Sequence, residues 1–279
     1  MEIIDIHTHG IRGYDTTSTD DEDIVRIAEA HADSGVSEIL AAIYPSTIRT
    51  MRKNMETVSR AMKKTPRIAG LYLEGPFLNP SKCGALEAAS FAEPDVFTFQ
   101  ELIDGFEDRV RVITVAPEMK GSLTLIRKIA DMGIIVSMGH SEASYAETEA
   151  GFNAGARGIT HIFNAMRGFH HREPGIAGFG LLNPDVYIEV IADPYHLNIR
   201  TLELIFRVKR PDRVIIVSDT VKESKTSSKH SAVMDSYGAL SGGCMTIVES
   251  SERLVRLGFD KNLVTKSISE NPRNYLSST

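Results

Sequence analysis

Two histidines lie two residues apart near the start of the chain, in the run "DIHTHG" at Asp5–Gly10. The apolar residues before them predict a buried strand, and side chains at positions i and i+2 of a strand point the same way. His7 and His9 would therefore project side by side from one strand end. Neutral imidazole is a common ligand of divalent metals, so the pair suggests a metal site. An ordinary pair of core or surface histidines fits this short motif equally well.

Further ionisable residues follow other apolar runs along the chain: Glu74, His140, His161 and Asp219. Any one of them could be a hydrogen-bonded core residue, because buried ionisable side chains are often paired for structural reasons alone. That explanation would have to hold for every member of the set at once, which makes a shared site the better interpretation. Together with the N-terminal pair, these side chains offer the mixed nitrogen and carboxylate ligands that divalent metals bind.

Short apolar runs alternate with longer amphipathic stretches and predict eight buried parallel strands. The runs cover residues 2–7, 37–44, 67–74, 111–116, 133–140, 158–163, 186–193 and 213–219. This alternation favours an α/β fold, a (β/α)8 barrel, as a single domain over residues 1–279. An open doubly wound sheet is the alternative, but no glycine-rich dinucleotide motif follows the first strand. In a barrel the carboxyl ends of all strands meet at one mouth, where the candidate ligands would gather.

Helical patterns separate the predicted strands. Residues 20–35 open with acidic side chains, residues 122–133 and 141–155 each open with a serine, and all three stretches close with glycine. These residue types are typical of helix ends. Residues 220–238 are instead rich in Ser and Lys and poor in aliphatic side chains. They predict a mobile loop that lies over the barrel mouth after the last strand.

The charge balance argues against several classes of partner. The formal net charge of −6 and a pI near 5.9 disfavour nucleic acid and an anionic membrane surface. No apolar run has the length of a membrane span, and the N-terminus lacks the basic-then-apolar order of a signal peptide. Cys83 and Cys244 form no CxxC pair and suit a reducing compartment. We therefore expect a cytoplasmic protein.

Nine short runs, in order from residue 5 to about 247, carry a resemblance to a known family. They read "DIHTHG", "LEGPFLNP", "TVAPE", "GHSEA", "THIFNAM", "HHREPGIAG", "IADPYH", "VSDT" and "LSGGCMTI". The sequence resembles the amidohydrolase superfamily and, within it, the N-acetylglucosamine-6-phosphate deacetylases. The resemblance implies a (β/α)8 barrel of the metal-dependent hydrolase type, with one or two divalent ions, zinc or iron being expected.

The same resemblance implies which residues bind the metal. In the family the Glu of "EGP", the His of "GHS" and the first His of "THxFNAM" bind the principal ion. The corresponding residues here are Glu74, His140 and His161. Members that keep an HxH pair hold a second ion, which assigns His7 and His9 to that site.

Asp219 in "VSDT" matches the aspartate that the family uses as a metal ligand and as general base and acid. A carboxylate there takes a proton from the attacking water and returns it to the leaving amine, while the metal lowers the pKa of water toward ~7. The implied reaction is the deacetylation of N-acetylglucosamine 6-phosphate to glucosamine 6-phosphate and acetate.

The substrate contacts of the family are also matched in part. Arg172 in "HHREPG" corresponds to the phosphate-binding arginine, and a guanidinium group suits a dianionic phosphate. An ordinary salt bridge with Glu173 is the alternative interpretation. His196 corresponds to a histidine that contacts substrate. The other positions that match contacts to the sugar phosphate are Ala85, Asn164, Ala165, Leu240, Ser241 and Gly242. The implied partner is a small phosphosugar.

The sequence departs from the family pattern in two places. In "CGALEAA", Leu86 takes the place of a histidine that hydrogen-bonds the acetamide carbonyl. Leucine donates no hydrogen bond, and the loss of one such donor typically costs ~10²–10³ in rate. The chain also begins directly at the first strand, without the small β-sandwich that both termini build in typical members. We expect the missing sandwich to expose apolar surface and to favour a homo-oligomer.

Three functions follow from these observations. A metal-dependent deacetylase of N-acetylated amino-sugar phosphates is favoured. Leu86 motivates the second, a hydrolase of a different amide or cyclic amide. The third is a non-catalytic relative that recognises a phosphosugar, against which the complete set of predicted ligands and the predicted base argue.

Overall fold

A computed structural model describes residues 2–226, 231–235 and 238–278 of the chain. Eight parallel strands form one sheet in the order of the sequence. They are β1 Ile4–Thr8, β2 Glu38–Ile43, β3 Ile68–Leu73, β4 Val110–Val115, β5 Ile135–Met138, β6 Gly158–Ile159, β7 Tyr187–Ile191 and β8 Val214–Val217. The last strand lies beside the first, where the Asp219 N–H donates to the His7 carbonyl at 2.9 Å. The predicted (β/α)8 barrel is confirmed.

Helices alternate with the strands. They are α1 Asp21–Ala32, α2 Ile48–Met62, α3 Val96–Ile103, α4 Ser122–Asp131, α5 Tyr145–Ala154, α6 Gly175–Leu182, α7 Ile199–Val208, α8 Ile247–Arg256, α9 Lys261–Ser267 and α10 Glu270–Leu276. Ser144 caps α5 and forms a capping box with Glu147, so this helix begins later than its predicted stretch. The serine cap predicted for α4 is wrong, because Gly121 is the N-cap and the Ser122 hydroxyl donates to a loop carbonyl.

Two apolar layers hold the barrel together. The interior layer is built by side chains from the strands and from α10, namely Ile4, Ile6, Leu40, Ala42, Tyr72, Val112, Ile135, Tyr187, Ile191, Ile215, Val217 and Tyr275. A larger layer lies between the strands and the helices and includes Ile24, Met55 and Leu125. The barrel interior is therefore a packed core, as in other barrels of this class.

The loop predicted over residues 220–238 is described only in part, because residues 227–230 and 236–237 lie outside the described residues. Its first residues are anchored to the barrel: the His9 N–H donates to the Thr220 carbonyl at 2.8 Å. Its far side contributes a short antiparallel pair, Val233–Met234 with Leu240–Gly242. This pair places Leu240 and Ser241 at the mouth of the barrel.

Two other sequence expectations concern cysteines and membranes. Cys83 and Cys244 are both free thiols. Among the helices of the described residues, none is long and apolar enough to cross a bilayer.

Asn271 fastens α10 to the start of β8. Its side-chain Nδ2 donates to the carbonyls of Pro211 and Val214, at 2.8 and 2.7 Å, and the residue is 1% exposed. We predict that Asn271→Ala lowers the free energy of unfolding by about 2–4 kcal/mol, because two carbonyls lose their buried partner. Denaturant unfolding measures this change. Asn274→Ala, at an exposed position of the same helix, should change it by less than about 0.5 kcal/mol. Equal losses in the two variants would contradict the prediction.

Candidate metal centre and active site

Three of the predicted ligands lie two residues beyond the last residue of their strands. His140, His161 and Asp219 have φ angles of 44°, 28° and 49°, in the left-handed region that non-glycine residues rarely adopt. A residue held there does not extend a parallel ladder. For that reason β6 has only two residues, and the strand predicted over residues 158–163 is too long. The backbone instead turns these side chains into the mouth of the barrel.

Glu74, directly after β3, brings two of the histidines together. Its Oε1 lies 3.0 Å from Nε2 of His140 and 3.0 Å from Nε2 of His161. Atoms held about 2.0–2.2 Å from one ion lie about 3.0–3.5 Å from each other, so the three side chains have the spacing of a single coordination sphere. Burial opposes ionisation of Glu74, but the adjoining rings of His140 and His161 outweigh it and hold its pKa well below 4.5.

His7 and His9 form a second group with Asp219. Nε2 of each ring lies 3.7 Å from Asp219 Oδ1, and the ring centroids are 5.3 Å apart. The two rings therefore project side by side, as expected from their spacing. His9 Nε2 also lies 3.1 Å from Glu74 Oε2 in a close contact that makes no hydrogen bond, so the two groups adjoin. Burial, followed by the Glu74 carboxylate, raises the pKa of Asp219 well above 3.8.

Several ring nitrogens in this cluster have no partner. Nε2 of His7, both nitrogens of His9 and Nδ1 of His161 are buried and make no hydrogen bond to any residue that the structure describes. Such atoms are costly unless another group satisfies them. Burial lowers the pKa of His7 to about 3 and also lowers that of His161, so these rings are neutral, the form that binds metal. The cluster fits a divalent metal centre, with Glu74, His140 and His161 in one group and His7, His9 and Asp219 in the other.

Groups behind the cluster fix the orientation of two rings. His140 Nδ1 donates to the Lys82 carbonyl at 2.9 Å, which directs the lone pair of Nε2 into the cluster. His7 Nδ1 lies 3.1 Å from Glu189 Oε2, and the Tyr72 hydroxyl donates to Glu189 Oε1 at 2.9 Å. Burial raises the pKa of Glu189 to about 8. Sequence reasoning missed Glu189, although a carboxylate inside the apolar run "VYIEVIAD" is a signal that could have found it.

We predict that Glu189→Gln lowers metal affinity by roughly 10–100-fold, the usual cost of losing a carboxylate that orients a ligating histidine. Glutamine keeps an acceptor for the Tyr72 hydroxyl, so the fold should survive the change. Metal titration monitored by calorimetry measures the effect, and activity lost at low metal concentration should return as the concentration is raised. Wild-type affinity in the variant would show that Glu189 does not support His7.

A cavity of about 280 Å³ opens at the cluster and contains most of the predicted substrate residues. Those that line it are Ala85, Asn164, Ala165, His196, Leu240 and Ser241. Gly242 follows Ser241 in the short strand but does not line the cavity. Leu86 lines it too, so the residue that replaces the family's histidine does face the site.

Arg172 lies outside the cavity, on an exposed segment between β6 and α6. Its backbone N–H donates to His170 Nδ1 at 3.2 Å. No ion pair joins it to Glu173 in the described structure, because Glu173 Oε1 accepts the N–H groups of Tyr145 and Gly175. The alternative salt bridge is therefore not formed, and the phosphate role of Arg172 stays a prediction.

His196 is held by a carboxylate that sequence reasoning also missed. Asp193 Oδ1 accepts the N–H groups of Tyr195 and His196, and Oδ2 lies 3.0 Å from His196 Nδ1. Burial disfavours the Asp193 carboxylate, but the bonds with His196 outweigh it and lower its pKa to about 2. The opposite ring nitrogen of His196 is left for the cavity that this residue lines.

Tyr44, the residue after β2, is a further member of the site that the sequence did not reveal. Its ring stacks on His9, with centroids 3.8 Å apart and an interplanar angle of 11°. It lines the cavity together with Leu86, and its hydroxyl makes no hydrogen bond to the described residues. An aromatic residue directly after a barrel strand is the only signal that points to it.

A match to the amidohydrolase family covers residues 3–276 of the chain. The chain belongs to the amidohydrolase family. It is 30% identical over 269 residues to an N-acetylglucosamine-6-phosphate deacetylase of Vibrio furnissii, which covers 91% of this chain and 67% of that protein. It is 32% identical over 222 residues to an N-acetylgalactosamine-6-phosphate deacetylase of Escherichia coli O157:H7, covering 78% and 59%.

The barrel of this amidohydrolase is also similar to a solved structure of a Mycobacterium smegmatis N-acetyl-D-glucosamine-6-phosphate deacetylase. That structure contains a point mutant in complex with N-acetyl-D-glucosamine-6-phosphate. The TM-score is 0.93 at 25% identity, and the match covers 99% of this chain and 77% of that one. The amidohydrolase described here thus spans 59–67% of the two curated relatives and about three quarters of the solved chain.

Proposed function

We propose that this amidohydrolase removes the N-acetyl group of an amino-sugar 6-phosphate, with N-acetylglucosamine 6-phosphate as the first candidate substrate. The observation that carries the proposal is the convergence of the two ligand groups on one cavity, which the catalytic candidate Asp219 also lines. Relatives that are named for this activity support the choice of substrate. The products would be the free amine and acetate.

A divalent metal, when bound, lowers the pKa of water and polarises a carbonyl, and zinc or iron suits these ligands. Asp219 supplies the proton transfers. Its carboxylate takes a proton from the attacking water and hands it to the amine nitrogen as the C–N bond breaks.

The cavity residues that follow β6 and β7 favour a phosphosugar as the substrate. The segment after β6 offers Asn164 and Ala165, and His196 presents a ring nitrogen. Polar groups of this kind form hydrogen bonds with the hydroxyl groups of a sugar. Arg172 is retained as a candidate phosphate ligand. The homo-oligomer and the cytoplasmic location expected from the sequence remain part of the proposal.

We infer that Tyr44 compensates for Leu86. An amide carbonyl that accepts negative charge needs a hydrogen-bond donor, and Leu86 supplies none. The Tyr44 hydroxyl makes no hydrogen bond to the residues that the structure describes, and Tyr44 lines the same cavity as Leu86. Burial raises the pKa of Tyr44 well above 10, so the hydroxyl keeps its proton and remains a donor.

Tyr44→Phe should lower kcat by roughly 10²-fold with little change in KM, because a donor to the developing charge is lost. Leu86→His introduces a new donor and should restore most of that loss in the double variant. Steady-state kinetics of the two single variants and the double variant measure the coupling. Equal losses in Tyr44→Phe with and without Leu86→His would rule out a shared carbonyl-binding role.

The proposed function is tested by acetate release from metal-loaded protein. N-acetylglucosamine 6-phosphate and N-acetylgalactosamine 6-phosphate are compared with unphosphorylated N-acetylglucosamine. We expect a large preference for a phosphorylated substrate. Hydrolysis of a cyclic amide in place of both sugars would favour a different amidohydrolase activity, and tight phosphosugar binding without turnover would favour the non-catalytic alternative.

A further inference from the structure

A second groove, of about 660 Å³, adjoins the active-site cavity. The two share four lining residues, which are Tyr44, Ala85, Leu86 and Ser241. The groove is therefore continuous with the site at its Leu86 edge.

The walls of the groove come mainly from segments after β1, β2 and β3, within residues 15–19, 44–54 and 85–90. Four of the predicted phosphosugar contacts, Asn164, Ala165, Arg172 and His196, follow β6 and β7, on the other side of the mouth. Two others, Ala85 and Ser241, line the edge that the groove shares with the cavity. With the sugar phosphate on that far side and the amide at the metal ligands, the acyl group points toward the groove.

Asn54 provides an unused polar group in the groove. It lies on the buried face of α2 beside Met51, Met55 and Val58, and it is 6% exposed. It lines the groove, and its side-chain amide makes no hydrogen bond to any described residue. A nearly buried amide whose donors and acceptor have no partner among the described residues is typical of a position that meets a polar ligand or water.

The same end of the groove favours an anion. Ser46 and Thr50, at the N-terminus of α2, line it, and the first turn of this 15-residue helix has no acidic residue. Helix N-termini attract negative charge. Lys53 also lines the groove, and its ammonium group makes no ion pair in the described part of the chain. Donors therefore cluster around Asn54.

Three carboxylates also line the groove. Asp15 Oδ1 accepts the Thr17 N–H at 2.8 Å, and Glu223 lies 3.8 Å from the Lys222 ammonium group. Glu87 is exposed to solvent. Two of these acids thus have partners of their own, and the third is free to be hydrated.

We propose that the groove is an acyl subsite for N-acyl groups longer than acetyl that end in a carboxylate. The proposal rests on the proposed function, since it names the acyl half of the same substrate. Water adds to the amide carbonyl, the C–N bond breaks, the acyl group leaves as a dicarboxylate and the amine takes the proton. Leu86 packs against the methylene carbons of the acyl chain, and Asn54 and Lys53 bind its terminal carboxylate.

The test compares N-acetyl-, N-butyryl- and N-succinyl-glucosamine 6-phosphate as substrates of the metal-loaded enzyme. We expect kcat/KM for the succinyl substrate to exceed that for the butyryl substrate by about tenfold or more, because only the former ends in a charge. Asn54→Leu and Lys53→Met should each lower the succinyl-to-acetyl ratio by about tenfold. Lys63→Met removes a lysine from the C-terminus of the same helix, outside the groove, and should leave the ratio unchanged.

Each outcome decides between the two proposals. Acetyl hydrolysis with a succinyl-to-butyryl ratio near one, unaffected by Lys53→Met, overturns the acyl subsite and leaves the deacetylase intact. If none of the three substrates is hydrolysed, both the acyl subsite and the proposed deacetylase function are overturned. Succinyl hydrolysis without acetyl hydrolysis supports the subsite and corrects the proposed substrate. Since Lys53 is exposed, its substitution keeps the test valid even if Asn54→Leu folds poorly.

Discussion

Asp219→Asn should reduce kcat by roughly 10²–10⁴-fold, the usual contribution of a positioned general base and acid. Asparagine is the substitution best suited to this position. The residue has a φ of 49°, and asparagine adopts left-handed backbone more readily than most residues. Its side chain also retains the shape and one oxygen of the carboxylate. The variant therefore tests the proton transfers with little change in the surrounding structure.

Two controls accompany that measurement. Elemental analysis should still find bound metal in the variant, because the group of Glu74, His140 and His161 does not include the substituted residue. Thermal unfolding should remain cooperative. Wild-type turnover in a metal-loaded Asp219→Asn enzyme would show that another group carries the proton.

Glu74→Gln should abolish both metal binding and turnover. Glu74 is within about 3 Å of ring nitrogens of three histidines, two through Oε1 and one through Oε2. Glutamine removes the negative charge and replaces one oxygen with an amide nitrogen, which donates and does not ligate. We expect less than a tenth of the wild-type metal content, and activity at the background level. A lower melting temperature should follow, because bound metal stabilises the folded state.

A matched variant and a reversible treatment separate metal loss from misfolding. Glu93→Gln changes an exposed carboxylate in the segment that follows β3 and should leave metal content and activity unchanged. Wild-type protein stripped with a chelator should lose activity and regain it when zinc or iron is restored. Glu74→Gln should not respond to added metal, and full recovery there would remove Glu74 from the ligand set.

The sequence predicted the barrel and the ligand cluster for related physical reasons. Parallel strands buried on both faces leave near-continuous apolar runs, and the ionisable residue that ends such a run must lie at the mouth. Glu74, His140 and His161 were found in this way although they are far apart in the chain. Strand positions were right to within a few residues, and β5 and β6 had the largest errors in length, each predicted four residues too long.

Other features left weak signals in the sequence or none. Left-handed backbone at His140 and His161 is unusual for histidine and leaves no mark in composition or periodicity. Glu189 and Asn54 are polar residues on otherwise apolar faces, a pattern that marks a buried polar group without naming its partner. The stacking of Tyr44 on His9 depends on the closure of the barrel, which brings strand ends together at distances that no local pattern encodes.

The left-handed torsions at His140, His161 and Asp219 have an evolutionary consequence. Replacement of each residue by glycine would remove roughly 1 kcal/mol of backbone strain. The side chains that bind metal and transfer protons therefore make the folded state less stable. A lineage selected only for heat resistance would tend to lose these side chains early. Their joint presence is a backbone cost that the barrel alone does not require.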